Sequence, residues 1–177
     1  LADNPLAGSM QTVARIIGGK SGLGVSRQIF YVQLGSFDTH DGQAPQHARL
    51  LTQLGQALEY FDGVMTTLGM GDQVTTFTAS DFGRTLTCNS DGTDHGWGSH
   101  HFVVGGAVQG QDMYGTYPVV GANQANDVGA GRLIPTISVD QYAGTLARWF
   151  GLSDGQLRKV FPNFGNFGSN PYLGFMG

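Results

Sequence analysis

Acidic and imidazole side chains, which can bind divalent metals or transfer protons, are concentrated in two stretches of this sequence. Both stretches, residues 35 to 43 and residues 80 to 101, begin where an apolar run ends. Mixed carboxylate and imidazole sets suit divalent ions such as zinc, manganese or calcium, and a pair of ions can clamp the oxygens of a phosphoryl or sulfuryl group. The candidate metal ligands are Asp38, His40, Asp81, Asp94 and His95.

Arg84 follows Asp81 closely, and its planar guanidinium suits the remaining oxygens of an anionic ester. We therefore take Arg84 as a candidate catalytic residue. Each candidate also has a plainer interpretation, because Asp38 and Asp81 could form turns or helix caps and Arg84 could simply pair with Asp81. A serine-based triad is the rival chemistry, but neither Ser36 nor Ser80 lies in a G-x-S-x-G elbow.

The apolar runs before the two polar stretches are predicted to be strands, at residues 28 to 34 and 74 to 78. The near-continuous apolarity of the first run is typical of a strand covered on both faces. Between them, residues 46 to 68 repeat apolar side chains with the period of a helix. A strand, helix and strand in this order predict a right-handed parallel crossover, which would bring both polar stretches to one edge of the sheet.

The remaining elements are predicted from the repeat of apolar residues and from helix-capping residues. Helices are predicted at residues 6 to 18, about 139 to 150, and 153 to 160, and a short strand at 102 to 104. Ser138 and Gln141 form a capping-box pattern at the start of the third helix. Residues 107 to 133 are predicted to be an irregular loop with a function. The tail, rich in Gly and aromatic residues, is predicted to be an extended segment that packs on the rest of the chain. Residues 1 to 177 are predicted to form a single domain.

Composition excludes several function classes. The net charge of −4 and the scattered nine Lys and Arg argue against nucleic-acid binding. The single cysteine, Cys88, excludes an intrachain disulfide and a multi-cysteine metal site. No apolar run approaches the ~18 residues of a membrane span. The opening LADNPLAGSM lacks both an initiator Met and the features of a signal peptide, so we expect a processed or truncated start.

Seven segments resemble, in the expected order, the bacterial family of unknown function numbered 1501. That family is placed in the alkaline phosphatase-like superfamily with sulfatases and cofactor-independent phosphoglycerate mutases. The segments are GSFDTHDGQ (35 to 43), SDFGRT (80 to 85), GTDHGWGSHHFVVGGAV (92 to 108), YGTYP (114 to 118), GRLIPT (131 to 136), QYAGTLARWFG (141 to 151) and VFPN (160 to 163).

The resemblance implies an α/β fold, a three-layer α/β/α sandwich with a mostly parallel sheet, incomplete at its N-terminus because the chain resembles the C-terminal portion of the family. It implies that Asp38 and His40 are one pair of metal ligands, Asp81 the acidic member of a second set, and His95 a late histidine ligand. Superfamily phosphatases commonly carry an Asp-His pair where this chain has Asp81-Phe82, and their nucleophile lies in the N-terminal half. Export signals in the family imply a periplasmic or secreted setting.

Two functions follow as hypotheses. The first is a metal-dependent hydrolase of phosphate or sulfate esters, or the C-terminal part of one, acting on a small anionic substrate. The second is a non-catalytic binding or assembly module, whose partner is its own N-terminal half or another protein chain. Phe82 and the unidentified nucleophile favour the second, and the aromatic tail from Phe161 to Phe175 is its candidate docking segment.

Overall fold

A computed structural model describes residues 3–177 of the chain. Within these residues lie four α-helices, which are α1 (Pro5–Gly18), α2 (Gln43–Thr67), α3 (Val139–Trp149) and α4 (Asp154–Val160). The strands are short: β1 (Thr76–Phe77), β2 (Gly83–Cys88), β3 (Thr93–Gly96) and β4 (Val103–Val104). Three 3-10 turns complete the secondary structure, at Lys20–Gly22, Gly71–Gln73 and Pro162–Phe167.

Helices α1 and α2 pack against each other and form the larger hydrophobic core. The buried side chains are Leu6, Ala7, Met10, Ala14, Ile17, Ala57, Phe61 and Met65. The Asn4 side chain caps α1 by accepting from the Ala7 amide, and its amide nitrogen donates to the Gln53 carbonyl on α2 at 2.8 Å. Both helices were predicted within a few residues of their observed ends, because the apolar period that defines them is local.

Residues 28 to 34, predicted to be a strand, form no regular element and pair with no strand in the described part of the chain. Phe30, Val32 and Leu34 pack against the core of α1 and α2, whereas Ile29 and Tyr31 are 78% and 84% exposed. One face is therefore covered and the other is open. The expectation of a strand buried on both faces is wrong for this structure.

The predicted three-layer α/β/α sandwich with a mostly parallel sheet is also wrong. The described residues contain two separate two-stranded sheets, β1 with β4 and β2 with β3, and both pairs are antiparallel. The chain returns from α2 to β1 without pairing beside residues 28 to 34, so no parallel crossover forms. Residues 83 to 96, within the second polar stretch, form a hairpin whose turn contains Asp91-Gly92, a typical hairpin sequence.

A second, smaller cluster joins α3, α4 and the turn at Pro162–Phe167 through Leu146, Leu157 and Phe164, all buried. Helix α3 begins at the predicted capping box of Ser138 and Gln141. In the tail, Phe164 and Phe175 are each 3% exposed, so the expectation that its rings pack on the body is confirmed for these two. No helix in the described part of the chain is long and apolar enough to cross a membrane.

Candidate functional site

The β2–β3 hairpin and the segment just before α2 together build the site. Arg84 on β2 lies directly opposite His95 on β3 in the antiparallel register. The Thr93 amide donates to the Thr39 carbonyl at 3.4 Å, which ties the hairpin to the other segment. Gly92, in the hairpin turn, is buried against the His40 backbone so closely that an added Cβ would collide with it. The small turn residue is what lets the two segments meet.

Three of the predicted ligands, Asp38, His40 and His95, converge at one point. The Oδ1 atom of Asp38 lies 2.8 Å from Nε2 of His95 and 3.1 Å from Nε2 of His40. The two Nε2 atoms are 3.3 Å apart. All three side chains are between 46% and 58% exposed, so one side of the group is open to solvent.

These distances fit a divalent ion. In a tetrahedral site with bonds of about 2.0–2.1 Å, neighbouring ligand atoms lie about 3.3–3.4 Å apart. The three observed separations of 2.8, 3.1 and 3.3 Å require only a small opening to reach that geometry. Two imidazoles and a carboxylate with an open position form a ligand set typical of catalytic zinc and of non-haem iron.

Arg84 holds Asp38 in place. Its Nη1 donates to the Thr93 carbonyl at 2.7 Å, and its Nη2 donates to the Phe37 carbonyl at 2.7 Å and to Asp38 Oδ1 at 2.9 Å. The side chain is only 16% exposed. Both terminal nitrogens are thus directed at the protein, and the ion-pair partner is Asp38, whereas the sequence suggested an ester anion or Asp81.

The contact with His95 lowers the pKa of the Asp38 carboxyl below its ordinary value. Desolvation opposes this shift, and Arg84 and the charge of the two imidazoles add to it. Asp38 is therefore a carboxylate at neutral pH. An ionised oxygen surrounded by two imidazoles is suited to receive a cation.

The other two predicted ligands lie elsewhere. Asp94 faces the far nitrogen of His40, with its Oδ1 at 3.4 Å from Nδ1, and accepts a hydrogen bond from Asn89 at 2.8 Å. Asp81 is exposed and is not part of the convergent group found among the described residues. The structure thus brings together three of the five predicted ligands, and Asp94 contacts one of these three, His40, from the side away from the group.

Two neighbours of the site were not predicted from the sequence. The Phe82 ring lies flat on His95, with centroids 3.8 Å apart and planes inclined by 4°, and the Arg84 guanidinium lies 5.0 Å from the centre of the same ring. Phe82 directly precedes β2 and is two residues before Arg84, so the strand alternation continued by one residue was a signal that both lie on one face. Asn89 contacts both Asp94 and His40, and it lies in a turn whose sequence carries no comparable signal.

A second acidic contact lies beside the group. The neighbouring Asp91 carboxyl raises the pKa of Asp41, and Asp41 in turn lowers the pKa of Asp91. The Gln43 amide donates to the Asp91 carbonyl at 3.0 Å, which ties the hairpin turn to the first turn of α2.

The comparisons with known proteins bear on the family alone. No curated protein and no solved structure matches the chain. The sequence profile of one family matches residues 4–161, which is most of the chain. The chain therefore belongs to the family described as protein of unknown function (DUF1501), as its motifs predicted.

Proposed function

We propose that this protein is a metal-dependent hydrolase of phosphate or sulfate esters, or the C-terminal part of one, from a bacterial periplasm or exterior. The observation that carries the proposal is the convergence of Asp38, His40 and His95, whose ligand atoms all lie within 4.8 Å of one another on an open face. The placement of the family that these motifs resemble in the alkaline phosphatase-like superfamily supports ester hydrolysis as the reaction class. Fractionation of the producing bacterium checks the location.

The residues of the site have separate roles in this proposal. His40 and His95 offer neutral nitrogens and Asp38 an anionic oxygen, and a bound divalent ion supplies Lewis-acid polarisation of an ester oxygen. Arg84 holds Asp38 against the hairpin, and Phe82 keeps the His95 ring in its plane. The exposed side of the group admits the ester and water.

Metal content and ester turnover test the proposal together. We expect the purified wild-type protein, equilibrated with zinc or manganese and then dialysed, to retain the ion and to hydrolyse p-nitrophenyl phosphate or sulfate. Asp38→Ala and His95→Ala should lose both properties, since each removes one of three ligands. Asp112→Ala is the matched control, because this exposed aspartate lies outside the site and contacts the Met113 amide.

Asp81→Ala tests the wider ligand set that the sequence predicted. From its position outside the convergent group we expect this variant to keep its metal. Ester turnover that persists in both Asp38→Ala and His95→Ala would contradict the proposal. So would metal retained equally by wild type and by both of these variants.

A non-catalytic binding or assembly role is the second candidate, and one observation favours it. Residues 28 to 34 make no backbone hydrogen bond to any other described residue and expose Ile29 and Tyr31. A segment with free backbone groups can pair with a strand from another chain. Light scattering and intact-mass spectrometry of the native material should then show a stable complex, and a lone monomer at all concentrations would count against this role.

A further inference from the structure

The two ring nitrogens of His40 face different partners. Nε2 faces the convergent group, and Nδ1 faces away from it, towards Asp94 and Asn89. The Asp94 Oδ1 atom and the Asn89 Nδ2 atom each lie 3.4 Å from Nδ1. Asn89 Nδ2 also donates to Asp94 Oδ1 at 2.8 Å. The amide therefore orients the carboxylate beside the ring.

Metal binding restricts the protonation of this ring. A neutral imidazole carries its proton on one nitrogen, so a ring that gives the Nε2 lone pair to a cation carries the proton on Nδ1. That N–H then needs an acceptor. The Asn89 amide nitrogen is a donor, whereas an ionised Asp94 carboxylate is acceptor-only. Asp94 is thus the partner that suits the metal-binding form of His40.

We propose that Asp94 is a positioning residue of the metal centre, which accepts the Nδ1–H of His40 and thereby aims its Nε2 at the ion. The inference rests on the metal centre of the proposed function. It also gives Asp94 a role different from the ligand role that the sequence suggested. Carboxylates that hydrogen-bond a ligating histidine in this way are a common support of protein metal sites.

The backbone of Asp94 is held independently of its side chain. Its amide donates to the buried Thr85 hydroxyl at 3.1 Å, and β3 pairs with β2 on either side of it. A change of the Asp94 side chain therefore leaves the β2–β3 strand pairing intact and removes only the side-chain contacts with His40 and Asn89. This makes substitution at Asp94 a selective test of His40 orientation.

Zinc affinity and the ring proton of His40 are the two measurements. We expect Asp94→Ala to weaken zinc binding by about 10–100-fold, the usual effect of losing such a partner. Asp94→Asn keeps an oxygen acceptor and should lose no more than about tenfold. In zinc-loaded, ¹⁵N-labelled wild-type protein, the His40 Nδ1–H should give a downfield proton signal in slow exchange with water. That signal should vanish in Asp94→Ala, return in Asp94→Asn and be unaffected in Asp112→Ala.

The outcomes separate this inference from the proposed function. If the wild type binds zinc and Asp94→Ala changes neither the affinity nor the His40 proton signal, the role of Asp94 is wrong and the metal centre stands. If the wild type binds no more zinc than His95→Ala, both are wrong. The wild-type spectrum is decisive without any variant, because a zinc-loaded protein that lacks the protected Nδ1–H signal contradicts the inference.

Discussion

Arg84 is the side chain on which the geometry of the site depends most. It contacts the carbonyls of Phe37 and Thr93 and the carboxylate of Asp38, so one guanidinium joins the hairpin to the segment before α2. Charge-assisted donors to backbone carbonyls are strong, and their loss leaves carbonyl groups without partners. The position of Asp38 relative to the two histidines is thus set by a neighbouring residue.

Replacing Arg84 with methionine should lower the free energy of unfolding by about 1–3 kcal/mol, because two carbonyls and a carboxylate lose their donor. Urea unfolding measures this change. Arg49→Met is the control, since Arg49 is exposed on α2 and the substitution should stay within about 0.5 kcal/mol of wild type. Equal stabilities of the two variants would show that the Arg84 contacts do not matter for folding.

Two glycines in helices illustrate how an element depends on its packing. Gly144 lies on the buried face of α3, where an added Cβ would collide with the Phe164 ring of the turn at Pro162–Phe167. Gly63 lies in α2 with nothing within 4 Å of the position of a Cβ. Helix propensity favours alanine at both positions, whereas packing opposes it at Gly144 alone.

Alanine substitution should therefore have opposite effects at the two positions. We expect Gly144→Ala to destabilise the protein by about 1–3 kcal/mol through overpacking. Gly63→Ala should stabilise it by about 0.5–1 kcal/mol through reduced backbone entropy of the unfolded chain. Thermal unfolding of both variants checks the difference. Stabilisation by Gly144→Ala would show that α3 is not packed closely against the Phe164 ring.

At the scale of the whole molecule, Tyr142 connects the α3 cluster to the sheet of β1 and β4. Its hydroxyl donates to the Thr78 carbonyl at 3.0 Å, and its ring stacks with His101 at a centroid distance of 5.5 Å. Burial raises the pKa of the Tyr142 phenol, so it remains a donor. The Thr78 hydroxyl accepts from the Phe102 amide at 2.9 Å and lies 3.3 Å from His101 Nδ1, which suits a neutral imidazole that accepts the hydroxyl proton.

This junction should make stability depend on pH. Partial burial, and secondarily the charge of His100, lower the pKa of His101 below its ordinary 6.5. The unfolded state then binds the proton more readily than the folded state, so the contribution of His101 is complete above about pH 6.5 and is lost as pH falls towards its folded pKa. We expect part of the drop in Tm between about pH 7.5 and 5.5 to disappear in His101→Gln.

His47→Gln is the control for this pH dependence, because His47 lies outside the Tyr142 junction, where it contacts the Phe37 ring edge-on. Its Tm should fall with pH as in the wild type. An unchanged pH profile in His101→Gln would show that folding does not lower the pKa of His101.

The fold was predictable where the signal is local and not where it is long-range. Local signals, which are apolar periodicity, capping residues or stop residues, mark α1, α2, α3 and α4, and all four helices were predicted close to their observed bounds. The strand predicted at residues 28 to 34 does not form, because whether an apolar run pairs as a strand depends on segments far along the chain. The three-layer sandwich, which the family resemblance implied, requires such pairing and is wrong for the same reason.

By itself, the sequence determined the helices, the types of side chain available for chemistry and the membership in DUF1501, since each of these follows from residues close together in the chain. The tertiary structure alone decided that Asp38, His40 and His95 meet, that Asp94 stands behind His40, and that Asp81 lies apart. The physical reason is that the β2–β3 hairpin sets the direction of these side chains. The alternation of side chains along β2 and β3, and the contact of the Gly92 turn with the His40 backbone, determine which groups face the same point in space.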